Sequence, residues 1–154
     1  MKAFQDCYPM KYAHCYGCGR ENAMGLQLKS YWNGVDTQAH FTPGMQYSGG
    51  VPGHVYGGMI ASLLDCHGTA SAAAFACRER GKDMTQEANP ARFVTVSLSV
   101  NFKRPTPQGV ELCMRAQLLG VEGRKVRMSL CLLAGDQVCA TADMLAIELL
   151  PEAP

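Results

Sequence analysis

A glycine pair, an apolar helix and one carboxylate follow in order along His54-Val55-Tyr56-Gly57-Gly58-Met59-Ile60-Ala61-Ser62-Leu63-Leu64-Asp65. Glycines at a helix start let the backbone approach a ligand closely, and the N–H groups of the first turn have no partner within the helix. The positive end of the helix dipole adds to them, so an oxygen that gains negative charge is favoured there. Asp65 comes about two turns later. A carboxylate among Leu63, Leu64 and a run of alanines is costly to bury unless it is paired or used. Amide donors with a nearby carboxylate suit acyl-group hydrolysis, in which the donors bind the oxyanion and the acid activates water.

Other reactive side chains surround this stretch. His54 and Tyr56 flank the glycines and are candidates to hydrogen-bond a substrate carbonyl. Thr69 shares the helical face of Asp65, where a hydroxyl commonly bonds back to its own helix. His67 is two residues from Asp65, points to another side, and reads as a structural histidine. Cys15-x-x-Cys18 is half of a zinc site that Cys7 and His14 would have to complete. No second pair has that spacing, so the expectation is a packed turn and no metal.

These residues need a helix and a sheet to hold them. Asn33-Gly34 is a strong two-residue turn signal, and residues 26–42 read as a hairpin ended by Pro43-Gly44. Residues 45–53 are glycine-rich loop. Residues 57–79 have the small-residue, apolar character of a helix buried on most sides, and their many alanines imply that something packs very close. The polar stretch Arg78 to Ala91 reads as the exit loop. Phe93, Thr95, Ser97 and Ser99 then alternate with Val94, Val96, Leu98 and Val100, the period of a half-buried strand. Further strands are expected over 110–119, 125–133 and 138–149, with turns at Glu122-Gly123 and Gly135-Asp136. The first 25 residues show no period and read as irregular. Hairpin, long helix and four antiparallel strands (93–149) imply a single α+β domain over residues 1–154. Helix and sheet must share one core, so the sheet curls around the helix as a hotdog fold.

Composition narrows the function further. With 154 residues the chain suits one domain, and 14 Lys and Arg against 13 Asp and Glu give a formal net charge of +1. No field for nucleic acid or a membrane surface follows from that balance, and there is neither a basic arm nor room for a helix-turn-helix. The N-terminus lacks the apolar stretch of a signal peptide and no run approaches a membrane span. The eight cysteines are therefore expected as reduced thiols in a cytoplasmic protein, with Cys113, Cys131 and Cys139 acting as small core residues.

Three motifs carry a family resemblance: Tyr56-Gly57-Gly58 with Asp65, the strand Val94 to Phe102 running into Arg104-Pro105, and Cys15-Tyr16-Gly17-Cys18-Gly19 with Gly25-Leu26. Together they resemble the hotdog acyl-CoA thioesterases of the phenylacetate-pathway (PaaI-like) and THEM4-like group, over nearly the whole chain. The resemblance implies that the Gly57 amide, with Gly58, polarises the thioester carbonyl and that Asp65 acts as base or nucleophile. It places Thr95 of the opposite subunit beside the attacking water. It implies no cofactor and a homodimer or dimer of dimers. Tyr56 stands where many relatives carry His, and Gly50 where some carry Asn or Gln, which leaves the carbonyl-orienting hydrogen bond to His54 or Tyr56. For the phosphates of coenzyme A, Lys103 and Arg104 are the first candidates, with Arg92, Arg124 and Lys125 as further local cations.

Two rival functions share the scaffold. A non-catalytic acyl-CoA-binding module would hold the ligand without releasing thiol. An enoyl-CoA hydratase or dehydratase would pair His54 with Asp65.

Overall fold

The computed structural model describes residues 1–152. Its strands are β1 (Ser30–Asn33), β2 (Asp36–Phe41), β3 (Phe93–Phe102), β4 (Leu112–Glu122), β5 (Lys125–Ala134) and β6 (Gln137–Glu148), and its one long helix is α1 (Gly57–Glu79). All neighbouring strands pair antiparallel, in the order β1-β2-β4-β5-β6-β3. The sheet wraps α1, which is the hotdog arrangement.

The composition of α1 explains the wrapping. Met59, Ile60, Leu63, Leu64, Phe75 and the alanines from Ala70 to Ala76 are all buried, and only a narrow stripe through Ala61, Ser62, Asp65 and Thr69 stays partly open. A Cβ at position 68 would fall 2.5 Å from the Met144 sulfur of β6, and the glycine there lets sheet and helix touch. Against this core the N-terminal segment forms two short 3-10 turns, Phe4–Cys7 and Met10–Tyr12. It is irregular, as expected, yet Phe4 is fully buried and meets Trp32 edge-on at 5.4 Å.

Three boundaries depart from the sequence reading. The hairpin begins at Ser30 rather than Leu26, because the Leu26 and Leu28 N–H groups bond the Tyr16 and Gly17 carbonyls and tie this stretch to the cysteine loop. The turn after β4 is Gly123-Arg124, one residue later than expected. In β3 the alternation does not run through. Thr95 pairs with Ala146 and Ser97 with Leu145, which leaves Val96 as the extra residue of a bulge. Phe93 and Thr95 face the helix before the bulge, whereas Leu98 and Val100 pack on the core after it, so the inward parity flips.

Candidate active site

At the start of α1, Tyr56 has extended backbone and its carbonyl accepts the Met59 and Ile60 N–H groups at 3.1 and 3.4 Å. Among the described residues, the Gly57 and Gly58 N–H groups have no backbone acceptor. A Cβ at Gly58 would lie 2.2 Å from the Tyr56 ring, and one at Gly57 would lie 3.3 Å from the ring of Phe102. The glycine pair thus lets two aromatic rings pack close to the start of the helix. A cavity of 420 Å³ opens at Gly57, with Phe102, Lys103, Arg104 and Thr106 on its wall. The structure therefore brings the two expected cations to the amide end of the helix. Arg104 also donates to the Gln137 side chain at the start of β6, which holds its guanidinium there. Thr106 is a residue that sequence reasoning missed. It is 2% exposed, and its Oγ1 has no partner among the described residues.

Asp65 is half-buried on α1, and Thr95 Oγ1 donates to its Oδ1 at 2.5 Å. The β3 bulge follows directly after Thr95 and leaves that hydroxyl on the helix side of the sheet. Thr95 thus bonds to Asp65 of its own chain. Thr69 bonds back to the Asp65 and Cys66 carbonyls, both at 3.3 Å, so its hydroxyl is engaged by its own helix.

Within one chain the two halves of the site do not meet. Gly57 and Asp65 are separated by 65 − 57 = 8 helical positions, or about 12 Å of rise, whereas a reacting carbonyl must lie within about 3 Å of both donor and base. β3, which carries Thr95, is an edge strand of the sheet, and its Val94 and Val96 are 40% and 55% exposed.

The remaining candidates are dispersed. His54 pairs with Pro107 in an isolated bridge before the helix, and no hydrogen bond joins it to Asp65. Tyr56 is exposed, with its ring over Gly58. His67 is completely buried, with Nδ1 2.9 Å from Ser30 Oγ and Nε2 3.4 Å from Thr37 Oγ1, and burial pushes its pKa down to about 4. It is a structural histidine, as expected. Arg92 stacks on Tyr12 beyond the far end of β3, and Arg124 donates to the Glu148 carbonyl, so neither faces the Gly57 cavity.

The cysteine loop gives the largest surprise. Cys15 and Cys18 meet Cys66 of α1, while Cys7 and His14 lie outside the group. The Cys18 and Cys66 thiols, followed by the Cys18 and Gly17 N–H groups, hold the Cys15 thiol at about 2, although burial opposes them. Contact with Cys15 in turn pushes Cys18 up to about 12 and raises Cys66. A separation of 51 residues between Cys15 and Cys66 left no local spacing signal to find this contact.

Comparison with known proteins places the chain. The thioesterase superfamily model matches residues 52–141, a span that holds Gly57, Asp65 and Thr95. Acyl-coenzyme A thioesterase THEM4 of Mus musculus is 30% identical over 138 residues, covering 87% of this chain and 53% of that protein. The chain thus spans about half the length of the curated relatives it matches. The crystal structure of a thioesterase superfamily protein from Shewanella loihica shares 41% identity at a TM-score of 0.67, over 91% of this chain and 97% of that one. The PaaI protein of the E. coli phenylacetic acid degradation operon is 14% identical at a TM-score of 0.64, covers 81% of both chains, and shows the common fold. A family model matched over more than half of the residues, together with the shared fold, settles the family: the chain belongs to the thioesterase superfamily.

Proposed function

We propose that the protein hydrolyses an acyl-CoA thioester to the free acid and coenzyme A, at a site shared between two copies of the chain. The observation that carries this is a half-buried Asp65, tied by Thr95, on the same helix whose first amides have no backbone acceptor. The exposed edge of β3 is the surface on which two copies would pair, and its unpaired backbone groups favour such addition. A dimer, or a dimer of dimers, then sets Gly57 of one copy against Asp65 of the other.

In this reading the thioester carbonyl oxygen accepts from the Gly57 N–H, supported by Gly58 and the helix dipole. Thr95 engages Oδ1 of Asp65 and leaves Oδ2 to take a proton from water. The water oxygen bonds to the carbonyl carbon, the C–S bond breaks, and the coenzyme A thiolate leaves without needing an acid. The proton held by Asp65 returns to solvent. Lys103 and Arg104 face the anionic end of the substrate from the Gly57 cavity. Tyr56 offers its hydroxyl near the carbonyl. No cofactor, nucleic acid or membrane enters this scheme. Among the described residues no helix is long and apolar enough to cross a membrane, and eight free cysteines fit a reducing cytoplasm.

Thiol release measured across short, long and aromatic acyl-CoAs, for the wild-type chain and Asp65→Asn, tests the reading. Turnover by the wild type and its near-complete loss in the variant support it, and full activity in Asp65→Asn ends it. Acyl-CoA binding without thiol release would instead mark a non-catalytic binding protein. Loss of enoyl-CoA absorbance would mark a hydratase.

A further inference from the structure

Three sulfurs from two distant parts of the chain converge beside the proposed site. Cys15 and Cys18 come from the N-terminal loop and Cys66 from α1, immediately after Asp65, and their Sγ atoms all lie within 4.8 Å of one another. Cys15 and Cys66 Sγ are 3.7 Å apart. Zinc–thiolate bonds of about 2.3 Å in tetrahedral geometry set ligand sulfurs about 3.8 Å apart, whereas a disulfide requires about 2.05 Å.

The loop is built around these sulfurs. A Cβ at Gly17 would lie 2.2 Å from Cys66 Sγ, so a residue with a side chain would expel that sulfur from the loop. A Cβ at Gly19 would collide with the backbone of Ala13 and Cys15 at 2.4–2.7 Å, which keeps the turn tight. The Gly19 N–H closes it on the Cys15 carbonyl at 2.8 Å. Cys66 is buried, Cys18 is half-buried and Cys15 is exposed, so the cluster opens to solvent on one side. On that side a 220 Å³ cavity has Cys15, Cys18 and Thr69 on its wall, with room for a water at the fourth position. Arg92 shares the wall and offsets negative charge.

From this arrangement we infer that Cys15, Cys18 and Cys66 bind a thiophilic divalent cation of the zinc class, with water as fourth ligand. Soft thiolate ligands in tetrahedral spacing select such an ion over magnesium or calcium. The bound ion clasps the N-terminal segment to α1 one residue past Asp65, which would fix the carboxylate's height along the helix.

Metal uptake by the reduced full-length chain decides the matter, independently of thioester turnover. Added Co²⁺ is expected to bind one per chain and to give thiolate-to-cobalt charge-transfer absorption with the visible bands of a tetrahedral site. Zn²⁺ should displace it, and zinc at a hundredfold excess over Kd should raise Tm by roughly 5–10 °C. Cys15→Ser, at an exposed position that tolerates the change, should abolish the charge-transfer band and the Tm shift. A wild-type chain that gives neither band nor shift overturns the inference. So does metal binding unchanged in both Cys15→Ser and Cys18→Ser, or mild oxidation that yields a Cys15–Cys66 disulfide in a chain that takes up no metal.

Discussion

Thr95 donates its hydroxyl to Asp65 across the gap between β3 and α1, at 2.5 Å. The bond fixes one carboxylate oxygen and leaves the other for water. A hydrogen bond to a charged group contributes about 1.5–3 kcal/mol, so Thr95→Val should lower kcat by about tenfold to a hundredfold while Thr95→Ser stays close to wild type. Asp65→Asn should lose about 10²–10⁴-fold, the usual contribution of a general base. Steady-state thiol release measures all three. Equal activity in Thr95→Val and wild type would reduce the contact to packing.

The Gly57 amide can be deleted without disturbing the helix. Gly57 is the first helical residue, where proline is well tolerated, and Tyr56 has φ −69° and ψ 146°, the backbone region that a residue before proline prefers. Gly57→Pro removes the N–H but also presses its ring toward Phe102, 3.3 Å from a Cβ there, so it should cost about 10²–10³ in kcat beyond Gly57→Ala, which adds a Cβ and keeps the N–H. If one copy supplies Gly57 and the other Asp65, mixing Gly57→Pro with Asp65→Asn subunits restores one intact site per heterodimer. Activity should recover to about a quarter of wild type after random exchange. No recovery in a mixture shown to contain heterodimers would place both groups on one chain.

Lys103 and Arg104 share the cavity wall with Gly57, about 12 Å along the helix from Asp65. In the proposed reading their charges draw the anionic coenzyme A end of the substrate to this cavity. Arg104→Ala should raise KM for acyl-CoA by roughly threefold with kcat little changed, and adding Lys103→Ala should raise it further, because exposed charge pairs are individually weak. The effect should shrink at high salt. A change confined to kcat would argue against phosphate recognition.

Much of this site was readable in advance, and what was not has physical causes. The helix bounds followed from local composition, which acts within a few residues, whereas Thr95 entered only through the family resemblance. The β3 bulge could not be read, since an unbroken alternation in sequence gives no sign that Val96 will be squeezed out against β6. The eight-residue spacing of Gly57 and Asp65 was visible from the start, and the two-copy site proposed here agrees with the dimer that the family resemblance implies. Cys66 joining Cys15 and Cys18 is a tertiary contact between segments 51 residues apart, and only the folded chain reveals it. Thr106 drew no notice because a threonine between prolines looks like loop until its hydroxyl is seen buried.

His67 supplies a test of the core by pH. It sits among Ser30, Thr37, Ser71 and Gln5, hydrogen-bonded side chains that do not titrate, and burial lowers its pKa to about 4 from an ordinary 6.5. Above pH 6.5 the ring is neutral in both folded and unfolded chains and carries no pH-dependent cost. As pH falls from 6.5 towards 4, the unfolded chain takes a proton that the folded one refuses, so unfolding stability declines by on the order of 3 kcal/mol across that window. His67→Gln keeps hydrogen-bonding capacity and removes the titration. Its stability at neutral pH should be lower by about 1–3 kcal/mol, since it fits the Ser30 and Thr37 partners imperfectly. Its loss of stability between pH 6.5 and 4, measured by urea unfolding, should be correspondingly shallower than that of the wild type. Parallel curves for the two proteins would show that His67 is free to take up a proton where it stands.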